Sequence, residues 1–88
     1  MSGTLPVTLL YFAWVREQVG ASEEVLWLDA PEPLSVLVDR LRARSCGHAE
    51  ALSDLSRLRV AVNQDFTGWD HVAVPGDEVA IFPPVTGG

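Results

Sequence analysis

The chain has 88 residues, a formal net charge of −6, a pI near 4.6 and 48% hydrophobic residues. That length predicts one domain with a modest core, and the apolar fraction excludes a disordered chain. The acidity argues against nucleic acid and anionic membrane and favours a partner with a basic surface.

One cysteine, Cys46, rules out a disulfide framework and any zinc or iron–sulfur site built on several thiolates. It fits a cytoplasmic location. No apolar run approaches the ~20 residues of a membrane span. The start, Met1 to Pro6, lacks the basic and apolar regions of a secretory signal.

Val7–Phe12 reads as a strand with bulk on both faces. Val7, Leu9 and Tyr11 lie on one, Leu10 and Phe12 on the other, as in a central strand whose second face is partly covered. In Ala13–Val19, Val15 and Val19 stand four apart, as on one side of a short helical turn. Gly20–Glu23 is a turn, with Gly20 at the left-handed position. Val25–Leu28 is a second short strand, an antiparallel hairpin partner of the first.

Asp29–Pro33 reads as a loop and Ser35 as the N-cap of a helix running to about Arg44. Leu34, Leu37, Val38 and Leu41 form its apolar stripe, with Asp39, Arg40 and Arg42 opposite. Ser45-Cys46-Gly47 breaks it, and Ala49–Leu55 makes a weaker turn or helix. Leu58–Val62 is a third strand, Asn63–Asp65 a turn, and Phe66 an apolar residue among polar ones. Residues 69–74 hold a short edge strand. Val74-Pro75-Gly76-Asp77 matches a type II turn, and Glu78–Phe82 is the last strand.

The order strand, strand, helix, strand, short strand, strand predicts an α+β fold. The hairpin-then-helix start resembles the ubiquitin-like β-grasp: a mixed sheet of four to five strands packed on one main helix, with the first and last strands parallel at its centre. Residues 1–88 form a single domain with a flexible tail over 83–88. Pro83 and Pro84 end sheet pairing, and Val85 and Thr86 favour extended backbone. Gly87 and Gly88 pass where a Cβ cannot.

Three blocks carry a more specific resemblance: Leu10-Tyr-Phe-Ala-Trp-Val-Arg-Glu-Gln-Val-Gly20, Ala61-Val-Asn-Gln64 and Gly76-Asp-Glu-Val-Ala-Ile-Phe-Pro-Pro-Val-Thr-Gly-Gly88. Together they resemble the family of molybdopterin synthase small, sulfur-carrier subunits. Residues 43–57 have no match, and Trp14 departs from the polar residue expected there. The resemblance implies a carrier without catalytic activity of its own. A ubiquitin-activating-like enzyme adenylates Gly88 with ATP, and a sulfur donor protein converts it to a thiocarboxylate. The tail then enters the large synthase subunit and gives sulfur to a cyclic pyranopterin, forming the molybdopterin dithiolene. A heterotetramer with two large subunits is also implied.

In that reading Gly88 reacts and Gly87 gives access. Phe12, Arg16, Phe66, Phe82, Pro83, Pro84, Val85 and Thr86 form the partner interface. Phe66 is the expected exposed anchor and Arg16 a candidate interface ion pair. Phe12 and Phe82 are each open to a core or an interface role. No cofactor is expected to be bound tightly. His48 and His71 are lone histidines without metal-ligand spacing. Cys46 reads as small and buried or incidental, and Asp77 and Glu78 as turn residues. Competing readings are a ubiquitin-like protein modifier, a thiamine-pathway sulfur carrier and a plain binding module.

Overall fold

The computed structural model describes residues 5–84. The interface and tail positions Val85, Thr86, Gly87 and Gly88 lie outside the described residues.

Strand β1 (Leu5–Tyr11) is followed by helix α1 (Ala13–Val19), strand β2 (Glu23–Leu28), a two-residue strand β3 (Glu32–Pro33) and helix α2 (Leu34–Arg42). Helix α3 (Cys46–Ala51) and a 3-10 turn (Leu55–Arg57) lead to β4 (Arg59–Val62), β5 (Asp65–Thr67), β6 (Val72–Ala73) and β7 (Glu78–Phe82). Five strands form a mixed sheet in the order β2-β1-β7-β4-β5, with β1 and β7 parallel and the other pairs antiparallel. This is the ubiquitin-like β-grasp expected above.

Alternation along the strands decides which side is covered. Val7, Leu9 and Tyr11 of β1, Val60 and Val62 of β4, and Val79 and Ile81 of β7 point to one side and are buried. Against them lies the α2 stripe of Leu34, Leu37, Val38 and Leu41, also buried. Each such side chain contributes about 1.5–3 kcal/mol by leaving water. Val15 of α1 and Ala51 and Leu52 at α3 close the ends of this core.

The helix starts differ from expectation. Ser35 does not cap α2; Pro33 holds the cap position, and no side chain bonds there. The free backbone donors of Leu34 and Ser35 go instead to the carbonyls of His71 and Trp69, at 2.9 and 3.1 Å. Those carbonyls are delivered because β3 pairs with β6, Glu32 opposite Ala73 and Pro33 opposite Val72. The short strand expected in 69–74 therefore belongs to a separate two-stranded ladder, and part of the expected 29–33 loop is its partner.

The edge of the main sheet is β5. Asn63 and Gln64 both take left-handed backbone, φ 52° and 73°, as a tight hairpin turn requires. The chain returns at Asp65, which is a strand residue and not part of the turn. Ser45-Cys46-Gly47, expected as a break, opens α3: Ser45 Oγ accepts the His48 N–H at 3.1 Å. Cys46 is exposed, not buried. A Cβ on Gly47 would stand 2.1 Å from the Gln18 carbonyl oxygen, so only glycine lets α3 lie this close to α1. The turns at Gly20 (φ 90°) and Gly76 (φ 97°) form as expected. Gly20 N–H donates to Arg16 O at 2.8 Å and Asp77 N–H to Val74 O at 3.1 Å.

At the far edge, two α2-side arginines reach over β2. Arg44 donates to the Val25 carbonyl at 2.8 Å and Arg40 to the Trp27 carbonyl at 3.2 Å. Among the described residues no helix is long and apolar enough to cross a membrane.

Candidate docking surface at the end of the last strand

The uncovered sheet face carries the residues of opposite parity. Ala61 of β4 pairs with Ala80 of β7 on one side and with Phe66 of β5 on the other, while Arg59 pairs with Phe82. The two alanines leave low ground between larger neighbours. Over it the Phe66 and Phe82 rings stand 5.8 Å apart at 52°, a favourable tilted arrangement. Phe66 is 80% exposed. An aromatic of this kind, supported on one side and bare on the other, fits an interface anchor.

Phe82 is half-buried and points away from the core, which Val79 and Ile81 fill. Its core reading therefore fails. Arg59, Phe66, Phe82 and Pro84 line a shallow hollow. Pro83 is half-buried and Pro84 exposed, so the chain leaves β7 beside that hollow.

Phe12 is 46% exposed and precedes α1, its carbonyl accepting from Val15 and Arg16 at 3.2 and 3.4 Å. Tyr11 pairs with Ile81 across the parallel ladder, so Phe12 leaves the sheet at the level of Phe82. Its core reading fails too. Arg16 is exposed one turn further along α1 and, among the described residues, has no carboxylate within ion-pair distance. Phe66, Phe82 and Pro84 thus share one surface with Arg59, while Phe12 leaves the sheet at the level of Phe82 and Arg16 follows one turn along α1. Arg59 was missed. Its place in Leu58-Arg-Val-Ala-Val62, in step with Ala61 and out of step with Val60 and Val62, was the available signal.

The turn before β5 is tied to the turn before β7 by polar contacts. Asn63 Nδ2 donates to Asp77 Oδ1 at 2.9 Å, and Glu78 N–H donates to Asn63 Oδ1 at 3.0 Å. Asp77 Oδ2 accepts the Val74 N–H at 2.9 Å. The expected turn role of Asp77 is therefore met, and Glu78 is the first residue of β7.

The covered side holds a second polar group of residues. Glu24 Oε1 accepts from the Tyr11 hydroxyl at 2.9 Å and lies 2.7 Å from His48 Nε2, with Arg44 at 3.5 Å. Ser45 Oγ and His48 Nδ1 are 2.7 Å apart. Burial raises the Glu24 carboxyl, but hydrogen bonds from His48 and Tyr11, with the charges of His48 and Arg44, outweigh it and hold the group below its ordinary range. Burial, then the bond to Glu24, pushes the Tyr11 phenol far above its ordinary value. His48 is thus not a lone histidine but the buried link between α3 and the first hairpin. Its partners are distant in sequence, so no local pattern signals them. Among the described residues no group of three His, Cys, Asp or Glu side chains is placed to hold a metal ion.

Known proteins resemble nearly the whole chain. The model of the ThiS family matches residues 9–88. The molybdopterin synthase sulfur carrier subunit of Escherichia coli is 44% identical over 93% of this chain and 99% of its own length. The protein of that name from Haemophilus influenzae is 35% identical over the same shares. A solved structure from Pyrococcus furiosus, provisionally named molybdopterin converting factor subunit 1, superposes with a TM-score of 0.76 at 28% identity, covering 92% of this chain and 99% of that one.

Proposed function

The chain belongs to the ThiS family, and from that premise we propose that it is the sulfur-carrier subunit of a molybdopterin synthase, with its chemistry at Gly88. The observation that carries the reading is the 44% identity to the Escherichia coli carrier subunit across nearly both whole chains. The exposed aromatic surface, set where Pro83 and Pro84 leave the sheet, supports it.

The carboxylate of Gly88 is a poor electrophile, and adenylation by a ubiquitin-activating-like enzyme gives it a leaving group, consuming ATP. Sulfur from a donor protein then displaces AMP and leaves a thiocarboxylate, whose polarisable sulfur is the better nucleophile. Phe66, Phe82 and Phe12 dock the body of the domain on the large synthase subunit. The tail, narrow at Gly87, carries the sulfur to a pyranopterin held there. Proton transfers and pterin binding belong to that large subunit, in a cytoplasmic assembly of two small and two large chains. No tightly bound cofactor is required of the small chain.

The direct test is the intact mass of the chain after incubation with ATP, an activating enzyme and a sulfur donor. The expected product is heavier by the exchange of one oxygen for one sulfur, located at Gly88. A second chain extended by one residue beyond Gly88 stays unmodified although it folds normally. Sulfur loading of the extended chain, or none on the original with a competent activating enzyme, overturns the proposal.

A further inference from the structure

Left-handed backbone is uncommon outside glycine, because the Cβ crowds the following carbonyl oxygen. Among the described residues Ala13, Asn63 and Gln64 take it. The last two are consecutive and form the whole turn between β4 and β5, closed by the pair Val62 and Asp65. A two-residue turn of this hand favours Asn followed by Gly. Asn63 fits that preference. Its amide is used inside the chain, donating to Asp77 Oδ1 at 2.9 Å and accepting the Glu78 N–H at 3.0 Å. Gln64 does not fit. It stands at the glycine position with φ 73°, and it is exposed. Among the described residues the side-chain hydrogen bonds around this turn belong to Asn63 and Asp77, and the Gln64 amide makes none.

A residue with a Cβ also stiffens the unfolded chain, but at a positive φ the strain outweighs that gain. Glycine would therefore serve the fold better at position 64. Strain kept at an exposed position, with no partner inside the chain, calls for a partner outside it. The surroundings say which. The pair next to the turn is Val62 and Asp65, and the pair after it is Ala61 and Phe66. Two residues of extended chain span at most about 7 Å, and Asn63 and Phe66 line one hollow together. A protein seated on the 80% exposed Phe66 ring therefore also meets this turn. The chemistry is equally specific. A primary amide carries a donor and an acceptor side by side and no charge, which complements a peptide group and not an ionised side chain.

We propose that Gln64 is a further contact residue of the docking surface, its amide exchanging hydrogen bonds with a main-chain peptide group of the large synthase subunit. For the identity of that partner the inference rests on the function proposed above. The turn holds its left-handed shape in the free chain, so the amide is presented before the partner arrives and little ordering is left for the encounter.

The experiment measures thermal unfolding and affinity for the large subunit on the full chain, on Gln64→Gly and on Gln64→Glu. Gln64→Gly removes the strain and the amide together. Its Tm should rise by about 2–8 °C, while its affinity falls roughly 10-fold, the scale of one or two neutral hydrogen bonds. A purely structural role would move stability and affinity in the same direction. Gln64→Glu keeps the side-chain length and the strained backbone but loses the donor. Its affinity should fall by about 5-fold or more, and that loss traces to the amide and not to a loosened turn. Unchanged affinity in Gln64→Gly, a Tm that does not rise there, or Gln64→Glu binding as tightly as the natural chain overturns the inference alone. No association between the natural chain and the large subunit overturns the functional reading and the inference together.

Discussion

The two faces of the sheet use similar residue types for opposite purposes. On the covered face every large side chain has a partner: Leu9, Ile81 and Tyr11 pack on α2 and its neighbours, and the polar atoms of Tyr11, Glu24 and His48 satisfy one another. On the bare face Phe66 and Phe82 lean on each other and on alanines, and Phe66 remains 80% exposed. Apolar surface that touches nothing in the folded chain adds little to its stability, so its cost is justified only by contacts made elsewhere. The contrast separates what holds the fold from what the fold presents.

Four substitutions can break or sharpen that contrast. Leu41→Ala, on the α2 stripe, should cost about 2–5 kcal/mol in urea unfolding, the largest effect of the four; a loss under about 1 kcal/mol places the core elsewhere. His48→Ala should cost about 1–3 kcal/mol, because Glu24 and Ser45 lose a buried partner. The same cluster sets a pH dependence. The Glu24 carboxyl is held below its ordinary 4.5 in the folded state, so folding releases protons there. Its contribution is complete above that value and disappears as pH falls through the lower folded one. Glu24→Gln should therefore flatten the acid limb of a stability-against-pH curve, and an unchanged limb would refute the assignment. Phe66→Asp should alter stability by no more than about 0.5 kcal/mol while weakening binding to the large subunit by roughly 30-fold, the scale of a central interface anchor. Loss of folding with unchanged affinity would move Phe66 into the core.

Much of the covered face was legible beforehand, because period carries it: the α2 stripe and the β1 and β7 alternation follow from spacing alone. The glycines at 20 and 76 declared their turns for the same local reason. Residues 43–57 were harder. There α3 depends on Ser45 as cap, on the bare backbone of Gly47 against Gln18 and on a histidine whose partners come from the first hairpin. None of these leaves a periodic trace. The β3–β6 ladder was hidden because two-residue strands carry no pattern, and it supplied the donors' partners that made a side-chain cap at Ser35 unnecessary. On the bare face Phe66 announced itself among polar neighbours, but Arg59 became visible only once β4 had been paired.

The arginines laid over β2 give the molecule a handedness of contact. A sheet normally offers two open seams for a foreign strand. Here the seam at Val25 and Trp27 is stitched from within by Arg44 and Arg40, while among the described residues no side chain bonds across the outer edge of β5 next to Phe66. Crowded copies of this chain are therefore hindered from pairing edge to edge through β2, and among the described residues β5 offers an extended visitor a margin beside the aromatic surface.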